Sequence, residues 1–208
     1  MAPRTRTGGA RQRSDDGRRT QLLDLGLRLF GGRSYAEISI DDIATAARIS
    51  RGLLYHYFDG KRGFYLETVR HAASGLVERV KTDPALGPEA RLRAGIAAYL
   101  EYVETFAEAY VVLMRGGLGV DEKVREVLEG ARESIVDHLI DGGPELRRTP
   151  AVHAALRGWL HLVEGMSLDW LEHGEIPRET LVEILASALS SIADTAIETD
   201  GAVDTSGT

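Results

Sequence analysis

Two helix-start signals lie eleven residues apart in the segment Ser39 to Asp59, SIDDIATAARISRGLLYHYFD. That spacing leaves room for a short helix, a tight turn and a second short helix, and for little else. Ser39 can cap the first helix by accepting from the free amide of Asp42, whose carboxylate can reach back in a capping box; Asp41 and Asp42 also suit the positive helix start. Ile43 and Ala47 then face inward, the small Ala44 lets a second helix cross closely, and Ile49 fills the corner. Ser50 caps the second helix, in which Leu54 and Phe58 point inward. Arg51, Gly52, Leu53, Tyr55 and His56 are left on the outside. An exposed Arg, a Gly that permits close approach and aromatic groups suit a nucleic-acid groove. Arg can meet guanine edges or phosphates, Leu the thymine methyls, and Tyr and His the phosphate oxygens. A helix-turn-helix, whose second helix enters the major groove, has this pattern. So does an ordinary corner between two helices, in which Tyr55 and Tyr57 are partly buried aromatics and Arg51 is a solvated charge.

Charge favours the first alternative. The formal net charge is -7, yet residues 1–70 carry 13 Lys+Arg against 8 Asp+Glu, while the remainder carries 12 against 24. A basic segment on an otherwise acidic chain draws a polyanion to one end and limits non-specific adhesion of the rest. Arg4, Arg6, Arg11, Arg13, Arg18 and Arg19 supply six of those bases, so a solvated basic arm accounts for part of the surplus. No aromatic sheet signature and no GxxG loop points to RNA, which leaves duplex DNA as the expected partner.

The rest of the chain predicts an all-α fold, because its apolar residues recur at helical spacing. Leu22, Leu23, Leu27 and Phe30 line a first helix that ends at Gly31-Gly32. Tyr65, Val69, Ala72, Leu76 and Val80 line a long helix closed by Pro84, Gly87 and Pro88. Further helical patterns cover about 89–106, 107–115, 121–141, 151–173 and 178–197, separated by GGLG, DGGPELRRTP and HGEIP. The absence of Cys excludes disulfide scaffolds, thiolate metal centres and thiol nucleophiles. Charge interrupts the apolar stretches well short of the ~18 residues that span a bilayer, and the Arg-rich start leads into no apolar h-region. A soluble, cytoplasmic protein is expected.

Other chemistry finds weak support. VVLMRGGLGVDE, residues 111–122, lacks the Lys-Ser/Thr of a P-loop and the full GxGxxG of a dinucleotide site. His161 and Glu164, with His153 two turns earlier, lack a third strong metal ligand. EGMSLDW around Ser167 lacks the second Gly of a nucleophile elbow. No catalytic residue, metal or cofactor is expected. A helical enzyme, or an interaction module that dimerises without DNA, stands as the alternative.

A recognition helix this short reads only a few base pairs, so affinity and specificity for DNA require two copies, and a dimer reads a two-fold-related operator. Two helices are apolar too widely to face one core. In 151–173, Val152, Leu156, Trp159, Val163, Met166 and Trp170 recur at spacings of three and four; Val182, Leu185, Leu189, Ile192 and Ala196 do so in the last helix. Val152, Leu156, Val163, Trp170, Val182, Leu185, Leu189 and Ile192 are therefore expected to form half of a four-helix homodimer interface. The alternative is a monomer whose final hairpin is core.

Residues 18–70 resemble the amino-terminal domain of TetR-type transcriptional regulators, through LLDLGLRLF, SIDDIATAARIS and RGLLYHYFDGKRGFYLETV in that order. The resemblance implies that Arg51, Gly52, Leu53 and Tyr57 lie against the groove, that Tyr55, Lys61 and Ser39 grip phosphates, and that Arg18 and Arg19 add contacts. It further implies a ligand-responsive repressor with an effector pocket among the central helices, where Tyr99, Tyr102, Phe106, Met114, Trp159, Leu162 and Met166 could surround a mostly apolar molecule oriented by Tyr hydroxyls or His138. The organisation then reads as a disordered basic arm at 1–17, a three-helix helix-turn-helix domain at 18–64, a helical effector-binding and dimerisation domain at 65–198, and a disordered tail at 199–208. Three residues depart from the family pattern. Arg48 stands in the turn where Gly is usual, and so has to adopt a left-handed backbone at ~1–2 kcal/mol. Ser34 replaces a Gly before Tyr35. Arg62 follows Lys61 where an acid is common, as a phosphate contact or a solvated charge.

Overall fold

The computed structural model describes the backbone of residues 8–205, with side-chain surroundings for 15–115 and 121–199. Helices follow one another as α1 (Gly8–Gly32), α2 (Ile40–Ala47), α3 (Arg51–Tyr57), α4 (Gly60–Val80), α5 (Pro88–Thr105), α6 (Ala107–Val120), α7 (Glu122–Gly142), α8 (Pro150–His173) and α9 (Arg178–Thr205), with one turn of 3-10 helix at Tyr35–Glu37. Among the described residues there is no strand, and the all-α expectation holds.

The chain forms two compact units, one of residues up to Ala72 with Glu108–Val124, the other of Ala73–Ala107 with the residues from Arg125 onward. The first unit packs Leu22, Leu23 and Phe30 of α1 on Ile38, Ile43, Leu54, Phe58 and Phe64. Phe64 sits at the centre, with ring centroids 5.9 Å from Phe30 and 4.9 Å from Phe58. Gly26 is required here, because a Cβ on it would overlap the Thr68 side chain of α4. That close crossing carries the unit through Ala72, beyond the boundary expected at 64, since Thr68 and Val69 are buried with it.

Three expected irregular segments are helical. Within the arm expected to be disordered at 1–17, α1 already starts at Gly8; Ala10, Arg11, Gln12 and Arg13 are adequate helix formers, and extending a helix is far easier than nucleating one. Arg4 and Arg6 lie outside the described residues. The tail expected at 199–208 is helical as far as Thr205, for the same reason. GGLG does not separate helices, because α6 runs to Val120. Gly weakens a helix by about 1 kcal/mol without ending it; the break comes at Asp121, whose carboxylate accepts from the Lys123 amide at 2.9 Å.

In the second unit α9 packs against α5 and α8, and the Trp159 indole N–H donates to the Leu185 carbonyl at 2.9 Å. This overturns most of the expected dimer surface. Val152, Leu156, Val163, Val182, Leu185 and Leu189 are all buried within one chain, while Trp170 and Ile192 are half-buried. The apolar width of α8 and α9 is used inside the protomer, on α5 and around a cavity. Contrary to the expectation that charge interrupts every apolar stretch short of such a length, residues 178–199 of α9 form a helix long and apolar enough, by length and composition, to cross a membrane; Leu181, Leu185 and Leu189 of that helix are core residues. Arg132 of α7, 6% exposed, is held by Glu164 at 2.8 Å and Glu129 at 2.6 Å.

Candidate nucleic-acid interface and ligand cavity

The turn between α2 and α3 is built from its caps. The Ser39 hydroxyl accepts from the Asp42 amide at 3.1 Å, and the Ser39 amide donates to the Asp42 carboxylate at 2.8 Å. The Ser39 hydroxyl also donates to the Asp42 carboxylate at 2.7 Å; that bond first, then the one from the Ser39 amide, with Arg33 and Lys61 nearby, holds the Asp42 carboxyl below its usual range. At the other end of α2, Arg48 is left-handed at φ 54, ψ 42, and its amide donates to the Ala44 and Thr45 carbonyls. It is the only non-glycine with positive φ among the described residues, so the departure from Gly keeps the turn and carries its strain. Ser50 then accepts from the Leu53 amide at 3.2 Å and starts α3.

On α3, Arg51, Gly52, Tyr55 and His56 are exposed, Tyr55 at 57%, and Leu53 and Tyr57 are half-buried. A Cβ on Gly52 would meet nothing nearer than the Ser50 hydroxyl at 3.9 Å, so a flat surface can approach the backbone there. Arg51 pairs with Asp41 of α2, which holds the guanidinium along the outer face. The Tyr57 hydroxyl donates to Asp15 of α1 at 2.5 Å, and that bond raises its pKa. Lys61 lies 4.2 Å from the Tyr35 ring centroid, with its Nζ 3.5 Å from the Ala36 carbonyl.

Arg18 is exposed, but Arg19 is turned to the body of the unit, 2.6 Å from Glu67 and over the Phe58 ring at 5.4 Å. Arg62 is exposed but not a free charge. It forms a two-pronged pair with Asp121, Nε–Oδ2 2.8 Å and Nη2–Oδ1 3.1 Å. Ser34 also has a use, because its amide and hydroxyl donate to Glu37 at 2.9 and 2.7 Å and cap the 3-10 turn. Thr45, exposed on α2, joins the outer face and carries no expectation above; it falls opposite Ile43 and Ala47 on the same helical period that identified the core side.

The second unit holds a cavity of about 630 Å³ between α5, α7, α8 and α9. Of the residues expected around an effector, Tyr99, His138 and Trp159 line this cavity, whereas Tyr102, Phe106, Met114, Leu162 and Met166 do not. Tyr102 is buried beneath Arg79, 4.9 Å from its ring centroid, and packs at a tilt of 51° on Phe106, the ring centroids 4.8 Å apart. Met114 belongs to the first unit, Leu162 is 38% exposed, and Met166 is half-buried elsewhere on α8. The wall instead includes Arg91, Leu92, Ile96, Leu139 and Leu189. Burial first, then Arg91 and Lys81, lower the pKa of His138, so its imidazole is neutral at pH 7.

Residues 22–68 match the family described as bacterial regulatory proteins of the tetR family, and residues 88–191, half of the chain, match the tetracyclin repressor-like C-terminal domain. The HTH-type transcriptional activator FasR of Mycolicibacterium smegmatis is 27% identical over 61% of this chain and 58% of its own. The HTH-type transcriptional repressor KstR2 of Rhodococcus jostii is 34% identical over 46% of this chain and 48% of its own. The chain thus spans about half the length of the curated relatives it matches. A solved tetR-family transcriptional regulator from Streptomyces coelicolor is 29% identical, with 91% of this chain and 86% of that one covered at a TM-score of 0.79.

Proposed function

Because the chain belongs to the TetR family of transcriptional regulators, we propose that it is a DNA-binding, ligand-responsive repressor. It acts as a homodimer on a two-fold-related operator, in the bacterial cytoplasm, by binding rather than by catalysis. The outward face of α3 carries this reading: Gly52 has open space above it, between the exposed Arg51, Tyr55 and His56. Arg51 leaves Asp41 for a guanine edge or a phosphate, and Leu53 and Tyr57 sit against the groove wall. Ser39, Tyr55, Lys61 and Arg18 serve the phosphates. Arg19, engaged by Glu67, contributes only by changing partner.

The dimer forms through the outer face of α8 and α9. Leu162 and Ile184 are 38% and 42% exposed there, among the exposed small residues Gly158, Gly165, Ser187 and Ser191 that allow helices to approach. The effector is a small, mostly apolar molecule in the α5–α9 cavity. Its signal travels along α4, whose first turn carries Lys61 and whose last residue, Val80, lines the cavity. A tilt of α4 that both sites sense gives release, and complete switching needs the effector to favour one conformer by about 5.5 kcal/mol.

The test is selection of bound duplexes from a random DNA pool at moderate salt, with Arg51→Ala alongside. A two-fold-related consensus that the variant loses is expected. Salt-sensitive binding without a consensus would overturn sequence-specific regulation and leave only a basic surface.

A further inference from the structure

The cavity wall contains a guanidinium with one buried N–H that donates to nothing among the described residues. The group is the Arg91 Nε of α5. Its guanidinium lies against the end of α7, where a Cβ on Gly142 would be 3.0 Å from Nη2 and 3.4 Å from Cζ. Neighbouring cations are engaged: Arg93 holds Glu89 at 2.7 Å and Glu183 at 2.9 Å, and Lys81 holds Glu78 at 2.5 Å. Glu89, the acid nearest in sequence, is therefore taken. The other lining acids, Glu145 and Asp194, are exposed at the rim. A desolvated guanidinium N–H with nothing to donate to is costly, and a cavity wall is where a ligand atom can relieve it.

We propose that Arg91 is the anion-recognising end of this cavity and that the effector is an amphipathic carboxylate. Its body lies against Leu92, Ile96, Leu139 and Trp159, and its carboxylate accepts from the Arg91 fork, with His138 as a second donor. The Arg fork matches a carboxylate in plane and spacing, which a Lys at this position would not. The neutral His138 donates one N–H without adding a competing charge. Gly142 keeps the guanidinium in place, since any side chain there would press on it. This assignment rests on the effector role of the cavity given above.

The test is calorimetric titration of the full chain with dodecanoate, dodecan-1-ol and dodecyl phosphate. Dodecanoate is expected to bind about tenfold or more tightly than the alcohol, as a charge-assisted bond replaces a neutral one. Arg91→Met removes that preference and leaves alcohol binding within about twofold, whereas Arg91→Lys, which keeps charge but not the fork, retains part of it. Thermal unfolding of each variant checks that it folds. Equal binding of alcohol and carboxylate, unchanged in Arg91→Met, would overturn the anion subsite and leave the cavity as an effector site. Tighter binding of dodecyl phosphate would overturn the carboxylate assignment. Binding of none of the three would overturn the subsite and the effector role of the cavity together.

Discussion

The two units of this chain use apolar residues in opposite ways. In the first, eight large side chains make one small core centred on Phe64, and the exposed residues of α3 are polar, aromatic or glycine, with Leu53 half-buried among them. Duplex DNA is a partner of fixed chemistry, so an outer face that suits it is recognisable. In the second, apolar stripes on α5, α8 and α9 serve the core, a cavity and an outer face at once. Helical periodicity tells which residues lie on a stripe and says nothing of what the stripe meets. A small unit with one core is therefore fragile and readable, and a larger one with three kinds of apolar contact is tolerant and ambiguous.

Phe64→Ala gives the sharpest break of this contrast. Removing a fully buried Phe from a core with few other large residues costs about 3–5 kcal/mol, and urea unfolding followed by circular dichroism should show the loss. DNA binding goes with it, while cavity ligands are retained. Loss of both functions together would mean that the units do not fold as separately as their cores suggest.

Leu162→Glu with Ile184→Glu comes next. A Leu or Ile is worth about 1.5–3 kcal/mol at full burial, and both start partly exposed, so the pair should weaken the dimer by about 3 kcal/mol. Sedimentation should then show monomers at concentrations where the unaltered chain is dimeric. Leu189→Arg, an obvious choice from the sequence, is expected to unfold the protomer instead, because Leu189 is buried beside the cavity. A persistent dimer in the double variant would move the interface off this face.

Smaller effects separate the roles on the DNA face. Arg51→Ala should cost about 1–3 kcal/mol of specific binding and relax sequence preference. Lys61→Ala should weaken all sequences alike and reduce the salt slope by about one. Electrophoretic mobility shifts across a salt series distinguish the two. Identical behaviour of both variants would mean that α3 contacts phosphates only.

The element order was legible because caps and breakers are local. Ser39, Ser50, Gly31-Gly32 and Pro88 each act within a turn of their own position, and each lies at a helix end in the structure. What was illegible depends on partners distant in sequence. Arg62 reads as a phosphate contact until Asp121, 59 residues on, is seen to hold it. Arg19 reads the same way until Glu67 does. Leu185 and Leu189 were assigned to a partner chain because nothing in their spacing announces α5. For Arg91, the informative fact is a buried N–H that donates to nothing among the described residues, which no sequence pattern can record.

Arg48 gives the smallest effect and the one of opposite sign. A side chain in the left-handed region costs ~1–2 kcal/mol, and Arg48 is exposed, so no packing is lost when it is removed. Glycine recovers most of that strain and gives back part through the greater freedom of the unfolded chain. Arg48→Gly should therefore stabilise the first unit by about 1 kcal/mol or less in urea unfolding. If Arg48 also reaches the DNA from the end of α2, where Thr45 is exposed too, the same variant binds operator more weakly although it folds more stably. Stability and affinity both rising would assign Arg48 to the turn alone; their moving apart would make the strained residue part of the reading surface.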